Sequence, residues 1–135
     1  MNRPSHPAPR RDRRELAAIF AGGTIGALAR VGLAQGFPHA ATAWPWPTFA
    51  VNLFGAWLLG WAVTRLSPHG YGRPFVGIGV CGALTTFATV QLELLRMLDA
   101  GSWALALGYA AVSLVCGMAA VRLGIAVARR EGVRT

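Results

Sequence analysis

The chain has 135 residues, room for one domain, and is 54% hydrophobic but only 13% charged. A soluble domain carries about 25% charged residues, so the deficit argues against a water-facing globule and points to lipid. The formal net charge of +8 comes from 13 basic side chains, all of them arginine, placed in tails and loops between apolar runs. No basic face with interleaved aromatics appears, which argues against nucleic-acid binding.

Residues 1–14 are rich in proline and arginine and lack an apolar core. No small-residue cleavage site follows, so a cleaved signal peptide is not expected. The tail is expected to be disordered and cytoplasmic, ahead of a membrane domain over 15–129 and a basic tail over 130–135. A bilayer-crossing helix needs about 20 apolar residues, and the first such run covers 16–36. Within it Gly22, Gly26 and Arg30 are spaced by four and share a helix face. Gly22 and Gly26 form a GxxxG, which lets another backbone approach closely; plain helix packing accounts for them. Arg30 comes late in the run. It either snorkels to the interface or turns inward, where it would order the structure or attract anions.

The loop 37–47 carries Pro38, Pro45 and Pro47 with Trp44 and Trp46, and tryptophan suits the headgroup layer. The second run, 48–66, places Thr48 and Asn52 on one face. An Asn amide in hydrocarbon needs a partner, either another helix or a permeating ion. After a Gly/Pro-punctuated turn the third run covers 75–98. Gly77, Gly79, Gly82 and the pair Thr85–Thr86 make its first half the poorest helix former in the chain. A break is predicted there, with Phe87 aimed by it. Broken helices persist at membrane depth only where protein or a wet cavity satisfies the backbone, and unwound carbonyls commonly hold cations.

A minimal hairpin at 99–102 leads to the fourth run, 103–128. Tyr109 and Ser113 share a face there, with Gly117 a turn further on. These hydroxyls either line a path or form a hydrogen-bonded seam between helices. All loops are short, so consecutive helices are antiparallel neighbours. At 14.3 kDa the chain is too small to enclose a pathway alone, so an oligomer is expected.

Cys81 and Cys116 lie inside apolar runs without metal-ligand spacing and read as inert thiols. His6, His39 and His69 fall in loops or the tail, and no nucleophile–base set is present, so no enzyme reading survives. With a cytoplasmic N-terminus, that side holds Arg3, Arg10, Arg11, Arg13, Arg14, Arg65, Arg73, Arg122, Arg129, Arg130 and Arg134, and the other holds only Arg30 and Arg96. Such a bias places both termini in the cytoplasm.

Four stretches, one per predicted helix, resemble the Fluc family of small bacterial fluoride channels, also called CrcB. They are GGTIGALAR at 22–30, TFAVNLFG at 48–55, GVCGALTTFAT at 79–89, and Tyr109 with Ser113. The third is the most specific. The resemblance implies four transmembrane helices in an antiparallel dimer with two narrow pores, and a structural sodium ion at the dimer centre. By position, backbone carbonyls of Gly82 and Thr85 would hold the sodium. It further implies that Phe87, Asn52, Thr48, Tyr109 and Ser113 line the pores. Arg30 matches the family's helix-one arginine, and Glu93 a helix-three glutamate near the pore.

The chemistry suits fluoride, a small anion whose water must be replaced by N–H and O–H donors and by the positive edge of a phenyl ring. The chain departs from the family where Val90 replaces a second phenylalanine, Ala88 a serine and Gly117 a further helix-four hydroxyl. The expected partners are fluoride, the bilayer, and a second subunit that is either a paralogue or a second copy. The strong arginine bias favours a paralogue. Two other readings compete. A small multidrug-type antiporter needs a carboxylate within helix one, where this chain has only Glu15 at the entrance and Arg30 deeper in. A non-conducting assembly or regulatory subunit would use the polar faces as interhelical seams.

Overall fold

A computed structural model describes residues 12–132, so most of the tail expected over 1–14, and residues 133–135, lie outside the described residues. Every regular element among the described residues is helical. Four stretches are long and apolar enough to cross a membrane: Arg13–Gly36, Trp46–Arg65, Pro74–Asp99 and Trp103–Glu131. The chain is a multi-pass membrane protein.

Helix α1 (Arg13–Gly36) starts three residues before the apolar run expected over 16–36. Asp12 caps it, its carboxylate accepting the Arg14 amide at 2.9 Å and the Tyr71 hydroxyl at 2.8 Å. Those two donors hold the Asp12 carboxyl below the usual carboxylate range. Helix α2 (Trp46–Arg65) has proline in its first turn, where the missing N–H costs nothing. The third span is composite: a π-helical segment, Pro74–Cys81, then the single turn α3 (Gly82–Leu84), then α4 (Phe87–Asp99). Thr85 (ψ 144°) and Thr86 (φ −148°, ψ 119°) between α3 and α4 are extended. Helix α5 (Trp103–Gly132) runs past the expected end into the arginine-rich turn, because arginine favours helix and its stem carries the charge out to water.

Two pairings organise these helices: α1 lies against the π-helical segment and α3, and α2 lies against α5. In lipid no hydrophobic driving force pulls helices together, so close packing must do so. A side chain on Gly22 would strike the Phe75 carbonyl oxygen and one on Gly26 the Val80 carbonyl oxygen, while a Cβ on Gly79 would sit 2.7 Å from the Ile19 oxygen. The GxxxG of α1 is therefore a backbone-to-backbone contact. The second pairing works alike, with Gly60 against the Val121 carbonyl and Gly124 against that of Trp57. Bulky apolar side chains point outward instead; Phe20 is 78% and Leu107 70% exposed.

One compact cluster lies where α4, α5 and the α1–α2 loop meet. Tyr109, Met97 and Ala106 are buried there, packed by Trp44, Phe49, Val90 and Leu94. Trp44 meets the Tyr109 ring edge-on, with centroids 5.2 Å apart. Of the two tryptophans expected at the headgroup layer, Trp46 is exposed and Trp44 folds inward onto this cluster. The difference is physical: Trp44 gains two edge-to-face partners, Tyr109 and Phe49.

The α2–α5 contact should be intolerant of volume. Gly60→Val should lower stability by about 1–3 kcal/mol through overpacking, read as a drop in thermal midpoint of the detergent-solubilised protein. Gly32→Ala, at a position with nothing within 4 Å, should hold or slightly raise it, since alanine in a helix is about 1 kcal/mol better than glycine.

Candidate functional site

The break in the third span creates an accounting problem at the middle of the membrane, because every backbone donor and acceptor there needs a partner. In an unbroken helix the Thr86 N–H would reach the Gly82 carbonyl. Here it donates to Asn52 Oδ1 on α2, at 3.0 Å. The Thr89 N–H, which would reach the Thr85 carbonyl, donates instead to Thr86 Oγ1 at 3.3 Å, an N-cap for α4. Arg30 reaches across from α1, its Nε donating to the Ala83 carbonyl at 3.1 Å. Thr85 turns both its amide (3.0 Å) and its hydroxyl (2.7 Å) back to the Cys81 carbonyl, and its methyl seats on Gly55.

Two consequences follow for the chemistry. The carbonyls of Gly82 and Thr85 lose their helical amide partners to side chains, which leaves oxygen lone pairs at the break. And because the Asn52 oxygen is committed to an N–H, its Nδ2 keeps both hydrogens for another acceptor.

Two cavities meet at this point. One of about 230 Å³ is edged by Arg30, Thr48, Asn52, Thr86 and Thr89. A wider groove of about 620 Å³ is lined by Gly82, Thr85, Phe87, Val90 and Ser113 among others. Asn52 and Thr86 line both. Phe87, the first residue of α4, stands on the groove and is 75% exposed. Its neighbour a turn on, Val90, lines the same groove and packs against the Tyr109 cluster.

The remaining residues singled out by sequence fall nearby. Ser113 faces the groove, and Tyr109 lies in the core one turn before it, fully buried. The Tyr109 hydroxyl, Ser113 hydroxyl and Trp44 indole N–H are buried without a hydrogen-bond partner among the described residues. Tyr109 and Ser113 lie one turn apart, so their hydroxyls can serve each other, while a buried indole N–H calls for an acceptor. Glu93 is buried at 5% exposure, its Oε2 3.1 Å from His39 Nε2 and its Oε1 3.9 Å from Arg96 Nη1. Sequence reading passed over His39 as an ordinary loop histidine. It also passed over Gly55, whose missing side chain makes the seat for Thr85; its place one turn after Asn52 was the available signal.

The fold and this site define a small four-span membrane protein whose third span is interrupted beside donor-lined cavities. The family described as "CrcB-like protein, Camphor Resistance (CrcB)" matches residues 17–125. The chain is 49% identical over 131 residues to a protein named fluoride-specific ion channel FluC 1 from Mycobacterium tuberculosis, covering 93% of this chain and 98% of that one. It is 41% identical over 113 residues to the fluoride-specific ion channel FluC of Bordetella petrii, covering 81% and 87%. With FluC 2 of Nocardia farcinica it shares 37% identity over 118 residues, 84% of each chain. The chain belongs to the CrcB family.

The Thr86 cap should be measurable by itself. Thr86→Val keeps the shape but orphans the Thr89 amide and should cost about 1 kcal/mol, seen as a lower thermal midpoint in detergent, whereas Thr86→Ser should stay close to the unchanged protein.

Proposed function

We propose that this chain is a subunit of a fluoride-specific ion channel that lowers cytoplasmic fluoride by passive export. The observation that carries the reading is Asn52. Its oxygen is tied to the Thr86 amide, so its N–H donors remain at the junction of two cavities. A naked small anion needs such donors in place of water, and several weak sites in series let it pass without being trapped. Thr48 and Ser113 add hydroxyls, and Tyr109 a further one behind them. The exposed ring of Phe87 offers its positive edge with little binding energy to trap the ion. Arg30 supplies positive charge beside the smaller cavity. The names of the relatives, all fluoride-specific ion channels, support the same substrate.

The carbonyls of Gly82 and Thr85, freed from helical bonding at the break, suit a hard monovalent cation, and a sodium ion held there would stabilise the unwound backbone. A single chain leaves the groove with Phe87 open, so a second subunit in the opposite orientation would complete it. The eleven-to-two arginine bias puts both termini of this chain in the cytoplasm of a bacterial inner membrane. One chain so strongly biased inserts one way, and an opposed partner is then a paralogue. Numbered relatives such as FluC 1 and FluC 2 support that reading. Val90, in place of a second phenylalanine, fits a chain whose partner supplies the missing aromatic.

Liposomes holding the purified protein with its partner should release fluoride and hardly any chloride. Asn52→Asp keeps the acceptor for Thr86 but replaces the donor with a negative charge. It should slow fluoride release on the order of tenfold or more, since like charges a few ångströms apart repel by ~4 kcal/mol at an effective dielectric near 20. A rate unchanged by this variant removes Asn52 from the path.

Expressed alone in a fluoride-sensitive bacterium, this chain should give little protection, and co-expression with a related chain of reverse arginine bias should restore growth. Full resistance from this chain alone, with no related gene present, would establish a homodimer instead.

A further inference from the structure

Glu93 is a charged side chain buried to 5% exposure in the middle of the third span's second half, and its carboxylate is met from the α1–α2 loop and from its own helix, with α5 packed against that helix. From the α1–α2 loop comes His39, with Nε2 3.1 Å from Glu93 Oε2. From its own helix comes Arg96, with Nη1 3.9 Å from Oε1. From α5 comes the Tyr109 ring of the adjoining cluster, and the other loop and α2 side chains packed there, Trp44 and Phe49, carry no titratable group. His39 is the contact that differs in kind. Its side chain is 21% exposed against 6% for Glu93, so protons from water reach the imidazole while the carboxylate stays dry.

This arrangement makes the loop histidine the accessible half of a buried pair. A carboxylate at this depth is costly without compensating charge. Arg96 stands farther off and is 61% exposed, so water screens it. When His39 is protonated, the pair with Glu93 is neutral overall and the carboxylate is held to the loop. When His39 is neutral, the negative charge of Glu93 is left to act on its surroundings. Those surroundings include the buried Tyr109 cluster that packs against α4 and, on the same helix, Val90 and Leu94, which line the groove. An anion there meets a repulsive field.

We infer that His39 is a positioning residue that couples anion passage to pH, holding and neutralising Glu93 when protonated and releasing a repulsive charge when not. The inference rests on the conduction reading above and adds a control to it. The direction is fixed by charge: fluoride release falls as rising pH takes the positive charge from His39.

The test is fluoride release from liposomes carrying the complete channel, with the same pH inside and out, at several values between about pH 6 and 8. The unchanged protein should lose release on the order of fivefold across that range, the size expected for one nearby charge in a partly solvated site. His39→Gln should be slow at every pH and show no slope. His39→Lys, which keeps a positive charge throughout, should restore fast release at the alkaline end. Glu93→Gln should also abolish the slope.

A His39→Gln channel with the same pH slope as the unchanged protein overturns the inference, as does a pH-invariant unchanged channel; in both, conduction itself stands. Should His39→Gln reduce release through misassembly, His39→Lys would share the loss, and failure of that rescue also overturns it. No fluoride release at any pH from the unchanged channel would sink the conduction reading and this inference with it.

Discussion

The Thr86 amide cannot be left bare in the middle of a membrane, and Asn52 is the group that satisfies it. Most of the site depends on that one bond. It stabilises an extended step in the third span, frees the Gly82 carbonyl, and orients the Asn52 amide so that its N–H groups point away from the backbone. Thr86 then caps α4 and Arg30 takes the Ala83 carbonyl. Side chains of α1 and α2, with Thr86 of the break itself, take over part of the lost helical bonding, so the break is built, not merely tolerated.

The glycine contacts have a different task. They bring α1 onto the π-helical segment and α2 onto α5 closely enough that a chain of this size can hold four spans without a large apolar core. That economy leaves few side chains buried. The buried cluster around Tyr109 is correspondingly small, and there the α1–α2 loop packs onto α4 and α5. Rigid scaffolding lies on the side of the helix pairs, whereas the face with Phe87, Val90 and Ser113 remains open as a groove.

Electrostatics follow the same division. Arginine outside a span can reach water, and its count on each side biases orientation. Within the spans, Arg30 is committed to a backbone carbonyl and Arg96 lies beside Glu93. Arg30 therefore turns inward, which decides between the two roles open to it on sequence grounds. Its charge is presented beside donors and not to lipid.

Sequence by itself determined the class. Four apolar runs of spanning length, short loops and charges mostly in tails and loops follow from the cost of polar groups in hydrocarbon, which leaves its mark residue by residue. The weak helix at 77–86 was legible for the same reason, since glycine and threonine carry their propensities locally. Spacing marked Thr48 with Asn52 and Tyr109 with Ser113, because one helix face repeats every three to four residues, and the weak helix before Phe87 marked that residue. Only the tertiary structure decided which way these groups face. The Asn52 amide is oriented by an N–H 34 residues away, Thr85 is seated by the bare Cα of Gly55, and Glu93 meets His39 across 54 positions. Such pairings join elements whose separation in sequence carries no record of their contact. They arise from how the helices cross, and that is set by glycines whose partners are backbone atoms, which no residue type announces.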